Sequence, residues 1–130
     1  MIYGIGTDIV SIKRIRDSIS RNPVKFPQRI LTPFEMEKYR DHYEHSLDNA
    51  SAYLAKRFAA KEATAKAFGI GFSQGLSLQH IETFNNDLGQ PHLRFYEFAQ
   101  EFINQKQIKQ SHLSLSDEKE FAIAYVILSI

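Results

Sequence analysis

The segment FAAKEATAKAFG, from Phe58 to Gly69, restricts the fold of this 130-residue chain more than any other stretch. Its alanine-rich composition favours a helix, which Gly69 would end in the left-handed conformation. On a helical projection Lys61 falls in the apolar sector, and Glu62 and Lys66 fall at its edge. Charged side chains at positions where apolar core residues are expected often mark a functional site. The structural alternative is a Glu62–Lys66 surface pair, with Lys61 extending its stem to solvent.

The N-terminal stretch MIYGIGTDIV has the composition and alternation of a β-strand. Gly4, Gly6 and Asp8 share one face of this strand, because successive side chains point to opposite faces. Glycines inside a strand often mark the close approach of a ligand or of another backbone. Asp8 is therefore placed to face a ligand. The structural alternative is that Asp8 ends the strand and starts the next helix.

Asp8 and Glu62 would offer carboxylate oxygens to a hard cation if the fold brings them together. Mg²⁺ typically takes one or two carboxylates, and water and substrate phosphates complete its ligands. Arg57, Lys61 and Lys66 would then supply positive charge for those phosphates. Such a set of acids and bases suits phosphoryl-type transfer, in which positioning and charge stabilisation provide most of the catalysis.

The whole chain predicts one α+β domain over residues 1–130, with antiparallel strands and a long central helix. Its predicted helices lie near Ile12–Ile19, from the capping box in TPFE towards His45, from Asp48–Ser51 to Gly69, and along the stripe Phe95, Phe98, Ala99, Phe102 and Ile103. Two strands are predicted to flank the turn NNDLGQP, and HLSLS and FAIAYVILSI are predicted to form a C-terminal hairpin.

Composition and charge narrow the function classes. The chain has no cysteine, which excludes disulfides and thiolate chemistry and predicts a reducing cytoplasm. No apolar run has the length of a membrane span, so no membrane association is expected. The net charge of +1 is unevenly distributed, since residues 11–31 contain six bases and one acid. This basic segment indicates either an anionic partner or a solvated basic helix.

Two segments of the chain together carry a family resemblance. GTDIV at Gly6–Val10 and KRFAAKEATAKAFG at Lys56–Gly69 resemble the signature segments of bacterial holo-acyl-carrier-protein synthases, the short phosphopantetheinyl transferases. The similarity extends through RILT, DLGQP and HLSLSDEKEFAIAYVIL, and so covers nearly the whole chain. It implies transfer of 4′-phosphopantetheine from coenzyme A to a serine of acyl carrier protein, with adenosine 3′,5′-bisphosphate as the other product. It also implies Mg²⁺ and a homotrimer that binds coenzyme A between subunits.

The resemblance assigns roles to residues at the matching positions. Asp8 and Glu62 match the metal-binding acids, and Lys66 matches a motif lysine suited to neutralising the transferred phosphate. Arg57 and Lys61 match basic positions near the coenzyme.

Further positions match the partner surface and the coenzyme. Arg14 matches a basic position that contacts the acidic carrier, and Arg21 and Arg29 are weaker candidates for the same surface. His112 matches a strand histidine that could line the coenzyme phosphates or have only a structural role. The chain departs from the family at Asp117, where many members have a second histidine, so no role of that histidine transfers.

Two other functions remain open at this stage. A small RNA- or nucleotide-binding module would use the basic segment, but the chain lacks a basic stripe interleaved with aromatics, and no nucleic-acid partner is expected. A non-catalytic adaptor for an acidic helical partner would explain Arg14 and Arg21 but not Asp8 and Glu62. The general base is also open between a metal-bound water and a carboxylate. The preferred carrier and the use of acyl-coenzyme A donors do not follow from the residues.

The remaining histidines give weak signals. His42 and His45 are three residues apart on a predicted helix, but no third ligand accompanies them, so zinc is not expected. His80 and His92 lie among strand residues and are expected to pack or to face solvent.

Overall fold

The structure is a computed structural model that describes residues 1–130, and it confirms an α+β architecture with antiparallel strands. The elements in chain order are β1 (Ile2–Ser11), α1 (Ile12–Arg21), α2 (Lys25–Ile30), α3 (Pro33–His45), α4 (Leu47–Phe68), β2 (Ile81–Asn85), β3 (Pro91–Phe95), α5 (Glu97–Gln105), β4 (Gln110–Asp117) and β5 (Phe121–Ser129). A short 3₁₀ turn at Leu78–His80 precedes β2. None of the helices is both long enough and apolar enough to cross a membrane.

A three-stranded antiparallel sheet and a separate hairpin hold the fold together. The sheet has the order β1-β5-β4, and β2 pairs with β3 in the hairpin. The long helix α4 packs on one face of the sheet, and α1 and α3 pack against α4. Alternate residues of β5 are therefore buried against the helix, namely Ala122, Ala124, Val126 and Leu128.

The glycines of β1 allow α4 to approach the strand closely. A Cβ atom at Gly6 would lie 1.9 Å from the carbonyl oxygen of Ala63, and one at Gly4 would lie 2.1 Å from that of Ala67. Any side chain at these positions would therefore collide with the helix backbone. Of the two interpretations of these glycines, the structure supports the close approach of another backbone.

The helix ends follow the local signals in the sequence, with two exceptions. Thr32 and Glu35 form the predicted capping box, and Gly69 ends α4 with a φ of +86°. The sequence did not predict α2, a six-residue helix whose N-cap makes no side-chain hydrogen bond. Phe95 belongs to β3 instead of α5, although it is packed against the same core. Phe95 fits the helical spacing of α5 only because its apolar side chain lies three residues before Phe98.

An ion pair between Lys61 and Glu35 lies in the interior of the protein. Both side chains are 0% exposed, and Lys61 Nζ lies 2.6 Å from Glu35 Oε1. Lys61 Nζ also donates to the carbonyl oxygen of Ile30 at 2.6 Å. The carboxylate of Glu35 accepts further hydrogen bonds from Thr32 N at 3.0 Å and Thr83 N at 2.7 Å. One buried pair thus joins the end of α2, the start of α3, the middle of α4 and β2.

The first prediction tests this pair by unfolding. Lys61→Met removes the ammonium and leaves a buried carboxylate without its cation, so we expect it to destabilise the fold by about 3–5 kcal/mol. Lys13→Met is the matched control, because Lys13 pairs with Asp17 at 2.9 Å on the exposed surface of α1. Such surface pairs contribute at most about 1 kcal/mol. Urea denaturation measures both losses, and a similar loss for the two variants would contradict the buried role of Lys61.

Candidate active site

Asp8 and Lys66 meet where β1 crosses α4. Lys66 Nζ lies 3.1 Å from Asp8 Oδ1 and donates to the carbonyl oxygen of Thr7 at 2.9 Å. The Asp8 side chain is 17% exposed and the Lys66 side chain is 55% exposed, so solvent reaches the pair. The inner face of β1 holds Asp8 towards the helix, because Asp8 pairs in register with the buried Ala124.

Glu62 is the third member of this group, one helical turn before Lys66. Partial burial raises the pKa of Glu62, the negative charge of Asp8 raises it further, and Lys66 opposes the shift. The two carboxylates are therefore close enough to repel each other. Asp8 and Glu62 form a half-buried acidic pair that a cation would stabilise, and their oxygens are the ligands that Mg²⁺ prefers.

Arg57 lies on a different side of α4 from this acidic pair. Each residue turns a helix by about 100°, which places Arg57 roughly 140° from Glu62 and roughly 180° from Lys66 around the axis. Arg57 is 6% exposed and lines a cavity of about 660 Å³ between α3, α4 and β2. Two lysines and two histidines line the same cavity, namely Lys38, Lys56, His42 and His45.

The cavity is a feature that the sequence did not reveal. Its residues come from four separate segments, α3, α4, β2 and the end of β4, and only Arg57 among them is a predicted coenzyme-binding residue. The His42–His45 spacing is the one signal of this region in the sequence, and by itself it suggests only an incomplete zinc site. The structure contains no group of three or more acids and histidines placed to hold a metal, and His42 and His45 line the cavity beside Arg57.

The structure contradicts the expectation that Lys61 binds coenzyme. Lys61 is fully buried, and its ammonium is engaged by Glu35 and by the carbonyl oxygen of Ile30. It therefore has no surface to offer a ligand. The structural alternative, in which Lys61 reaches solvent along its stem, is also wrong.

His112 lies on the outer face of the sheet and does not meet Asp8. It pairs in register with Ile127 on β5, and it alternates with Ser114 and Ser116 along the exposed face of β4. Asp8 points from the opposite face. A single chain therefore separates His112 from the acidic pair by the thickness of the sheet. Asp117, at the end of β4, pairs with Lys56 at 3.4 Å on the edge of the cavity.

The basic candidates for partner binding lie on α1 and α2. Ile15 and Ile19 form the buried side of α1, which leaves Arg14 exposed on the other side. Since α1 continues to Arg21, Arg14 and Arg21 share one helix face, as predicted from their spacing of seven. Arg29 is exposed in the last turn of α2.

The sequence of the chain is similar to the sequences of one known protein family. A family model described as the 4′-phosphopantetheinyl transferase superfamily matches residues 4–126. The holo-[acyl-carrier-protein] synthase of Idiomarina loihiensis is 49% identical over 127 residues, which are 98% of this chain and 96% of that protein.

Solved structures agree with this match. The crystal structure of holo-[acyl-carrier-protein] synthase from Neisseria meningitidis superposes with a TM-score of 0.90, at 38% identity and with 100% of each chain covered. The enzyme from Bacillus anthracis, solved in complex with CoA (3′,5′-ADP), superposes with a TM-score of 0.79 at 35% identity, covering 100% of this chain and 99% of that one.

The second prediction concerns the pH dependence of stability at the acidic pair. Because the pKa of Glu62 is raised in the folded state, the folded protein binds its proton more tightly than the unfolded chain does. Glu62 therefore favours folding at low pH, and this contribution is lost as the pH rises through the folded pKa. Glu62→Gln, which carries no charge, should consequently melt at a higher temperature than the wild type at pH 7. The difference should shrink as the pH falls below about 4, because glutamate then becomes protonated in both states.

Differential scanning calorimetry at several pH values checks this expectation. Glu101→Gln removes the same charge from the exposed surface of α5 and controls for the change in net charge. A lower melting temperature for Glu62→Gln at pH 7 would contradict the raised pKa of Glu62.

Proposed function

The chain belongs to the 4′-phosphopantetheinyl transferase superfamily as a holo-[acyl-carrier-protein] synthase, and we propose that its Asp8–Glu62–Lys66 group is where it transfers 4′-phosphopantetheine from coenzyme A to a serine of apo acyl carrier protein. The other product is adenosine 3′,5′-bisphosphate. The whole chain, residues 1–130, acts as one transferase domain. The lack of cysteine suits the reducing cytoplasm.

The observation that carries this proposal is the convergence of two acids and a lysine at the crossing of β1 and α4. Lys66 pairs with Asp8 at 3.1 Å, and partial burial together with the negative charge of Asp8 raises the pKa of Glu62. Asp8 and Glu62 would hold Mg²⁺, which when bound supplies positive charge to the diphosphate of coenzyme A.

The residues of the chain position the reactants and stabilise charge. The serine hydroxyl of the carrier gives its proton to a general base as its oxygen attacks the phosphorus nearest pantetheine. The bond from that phosphorus to the nucleotide oxygen breaks, and adenosine 3′,5′-bisphosphate leaves. The charge on the transferred phosphate is spread over its oxygens during this step. The half-exposed ammonium of Lys66 is placed to stabilise that charge, because it already lies beside the acidic pair.

The separation of Arg57 and His112 from the acidic pair supports a site shared between subunits. Within one chain Arg57 lies across α4 from Lys66, and His112 lies across the sheet from Asp8. If both residues bind the phosphates of coenzyme A, they bind the coenzyme held by the acidic pair of a neighbouring chain. The protein is therefore proposed to assemble with its active sites at the subunit interfaces, and the family resemblance implies that this assembly is a homotrimer.

The outer face of the sheet is a suitable surface for this assembly. Large apolar side chains of β1 and β5 are roughly half exposed there, namely Ile5, Ile9, Phe121, Ile123 and Tyr125. A contiguous apolar face of this kind is unusual on a soluble monomer and marks an interaction surface. His112 lies on the same face, so assembly through this surface would bring it to a neighbour.

The third prediction tests the metal assignment by the transfer reaction. The protein is incubated with coenzyme A, Mg²⁺ and apo carrier protein, and mass spectrometry measures the gain of phosphopantetheine on the carrier. Glu62→Gln and Asp8→Asn remove carboxylate charge without changing size, and each should lower the rate at least about 100-fold. Glu101→Gln is the control on the exposed surface of α5. Near-normal turnover of Glu62→Gln at ordinary Mg²⁺ concentrations would refute the metal site.

The fourth prediction concerns assembly. Light scattering of the wild type should give three chains per particle at assay concentration. Ile9→Lys or Ile123→Lys places a charge on the apolar sheet face, and each should dissociate the trimer and abolish most of the transfer. Leu88→Lys is the control, because Leu88 is 85% exposed but lies in the β2–β3 turn. An active wild-type monomer would exclude the shared site.

The fifth prediction concerns the carrier surface, which is proposed to comprise Arg14, Arg21 and Arg29. Complementary charge mainly accelerates association and fixes orientation, and salt screens it. Arg14→Glu should therefore raise the KM for the carrier roughly tenfold, which corresponds to about 1.4 kcal/mol, and should leave the KM for coenzyme A within about twofold. Added salt should narrow the difference from the wild type.

Lys109→Glu makes the same charge reversal just before β4 and serves as the control. A rise in the KM for coenzyme A, with the carrier KM unchanged, would show that the two surfaces are assigned the wrong way round. A non-catalytic adaptor would lose carrier binding with Arg14→Glu but would show no transfer by the wild type.

A further inference from the structure

Arg57 is a buried cation without a counter-ion. Its side chain is 6% exposed, it takes part in none of the ion pairs of the chain, and its Nε has no hydrogen-bond partner. Burial of an unpaired charge is costly for a protein, so such a group is rarely retained for packing alone. A ligand can reach Arg57 through the cavity that Arg57 lines.

The ring of Tyr53 is the contact that holds the guanidinium. The Arg57 Cζ atom lies 4.4 Å from the centroid of the Tyr53 ring. The two residues are four apart on α4, which places them on the same face one turn from each other. Since the stacked guanidinium of arginine is planar, the ring restricts its orientation as well as its position.

Tyr53 is itself fixed by its neighbours. It is 5% exposed, and its hydroxyl donates to the carbonyl oxygen of Glu35 at 3.3 Å. The imidazole of His42 stacks against its ring with centroids 4.8 Å apart and planes 27° apart. Burial lowers the pKa of His42, and the positive charge of Arg57 lowers it further, which favours the neutral ring in this stack. His42 and Tyr53 thus provide a rigid support for Arg57.

The charges around the cavity indicate the kind of group that Arg57 meets. Lys38, His45 and Lys56 line it, and Asp117 is its one acidic residue. Asp117 is partly neutralised by Lys56 at 3.4 Å. The planar fork of an arginine suits the paired oxygens of a phosphate.

We propose that Tyr53 is a positioning residue, whose ring holds the Arg57 guanidinium in the orientation that binds a phosphate group of coenzyme A. This inference rests on the proposed function in its assignment of Arg57 to the coenzyme. Tyr53 does not touch the reacting atoms, and it acts only through Arg57. A tyrosine that merely filled the core would affect stability without any preference for one substrate.

The kinetic test compares changes at two buried tyrosines. Tyr53→Leu removes the ring, and we expect it to raise the KM for coenzyme A about tenfold while kcat and the carrier KM change less than about twofold. Tyr53→Phe keeps the ring and should restore most of the lost affinity. Tyr39→Leu is the matched control, because Tyr39 is 4% exposed and lies on α3. It should lower the melting temperature as Tyr53→Leu does, but leave the KM for coenzyme A unchanged.

A double-mutant cycle with Arg57→Ala tests the coupling directly. Calorimetry measures the Kd of adenosine 3′,5′-bisphosphate for the wild type, Tyr53→Leu, Arg57→Ala and the double variant. If Tyr53 acts through Arg57, Tyr53→Leu should weaken binding about tenfold in the wild type and less than twofold when Arg57 is already alanine.

The outcomes separate this inference from the proposed function. Full additivity of the two losses, or an equal rise in coenzyme KM for Tyr39→Leu and Tyr53→Leu, would overturn the positioning role. The binding measurements could show the expected coupling between Tyr53 and Arg57 while the wild type transfers nothing to the carrier. That result would support the positioning role and contradict the proposed function.

Discussion

The buried pair of Lys61 and Glu35 is the interaction on which the arrangement of this protein depends. Taking both charges out of water is costly, and the cost is offset only because each group has several partners. The ammonium reaches the carboxylate and the carbonyl oxygen of Ile30, and the carboxylate also accepts from the backbone of Thr32 and Thr83. These bonds have directions, so they define how α2, α3 and β2 are placed around α4. Apolar contacts alone would define that placement less sharply.

The sequence predicted the elements well where the signal is local. The capping box at Thr32 and the left-handed Gly69 each involve residues within one turn, and both were found at the predicted position. The short helix α2 was missed because its N-cap makes no side-chain hydrogen bond and tertiary contacts hold it. The role of Lys61 was predicted wrongly for a similar reason. Its partner lies 26 residues away, and a charge pattern along one helix cannot show a partner on another.

The sequence predicts a site at Asp8, Glu62 and Lys66 only if the fold brings these residues together. What brings them together is a backbone contact that the sequence left open. Because Gly4 and Gly6 have no side chains, α4 lies directly against β1, and the helix residues beside the crossing meet Asp8. The cavity around Arg57 could not be anticipated at all, since its lining comes from α3, α4, β2 and the end of β4. Signals of this kind exist only in the folded chain.

The two sides of α4 carry charges that are left without full compensation. Burial and the negative charge of Asp8 raise the pKa of Glu62 on one side, and Arg57 is buried without an anion on the other. These opposite charges cannot neutralise each other, because a rigid helix holds them roughly 140° apart around its axis. In the proposed function the acids would meet a cation and the arginine would meet a phosphate. The proposed substrate, a diphosphate with its metal ion, would relieve both costs if a second chain closed the distance between the two sides. The charges of the acidic pair and of Arg57 are thus incompletely compensated within one chain. This is the physical reason to expect that the site is preorganised for its substrate and that the chains assemble.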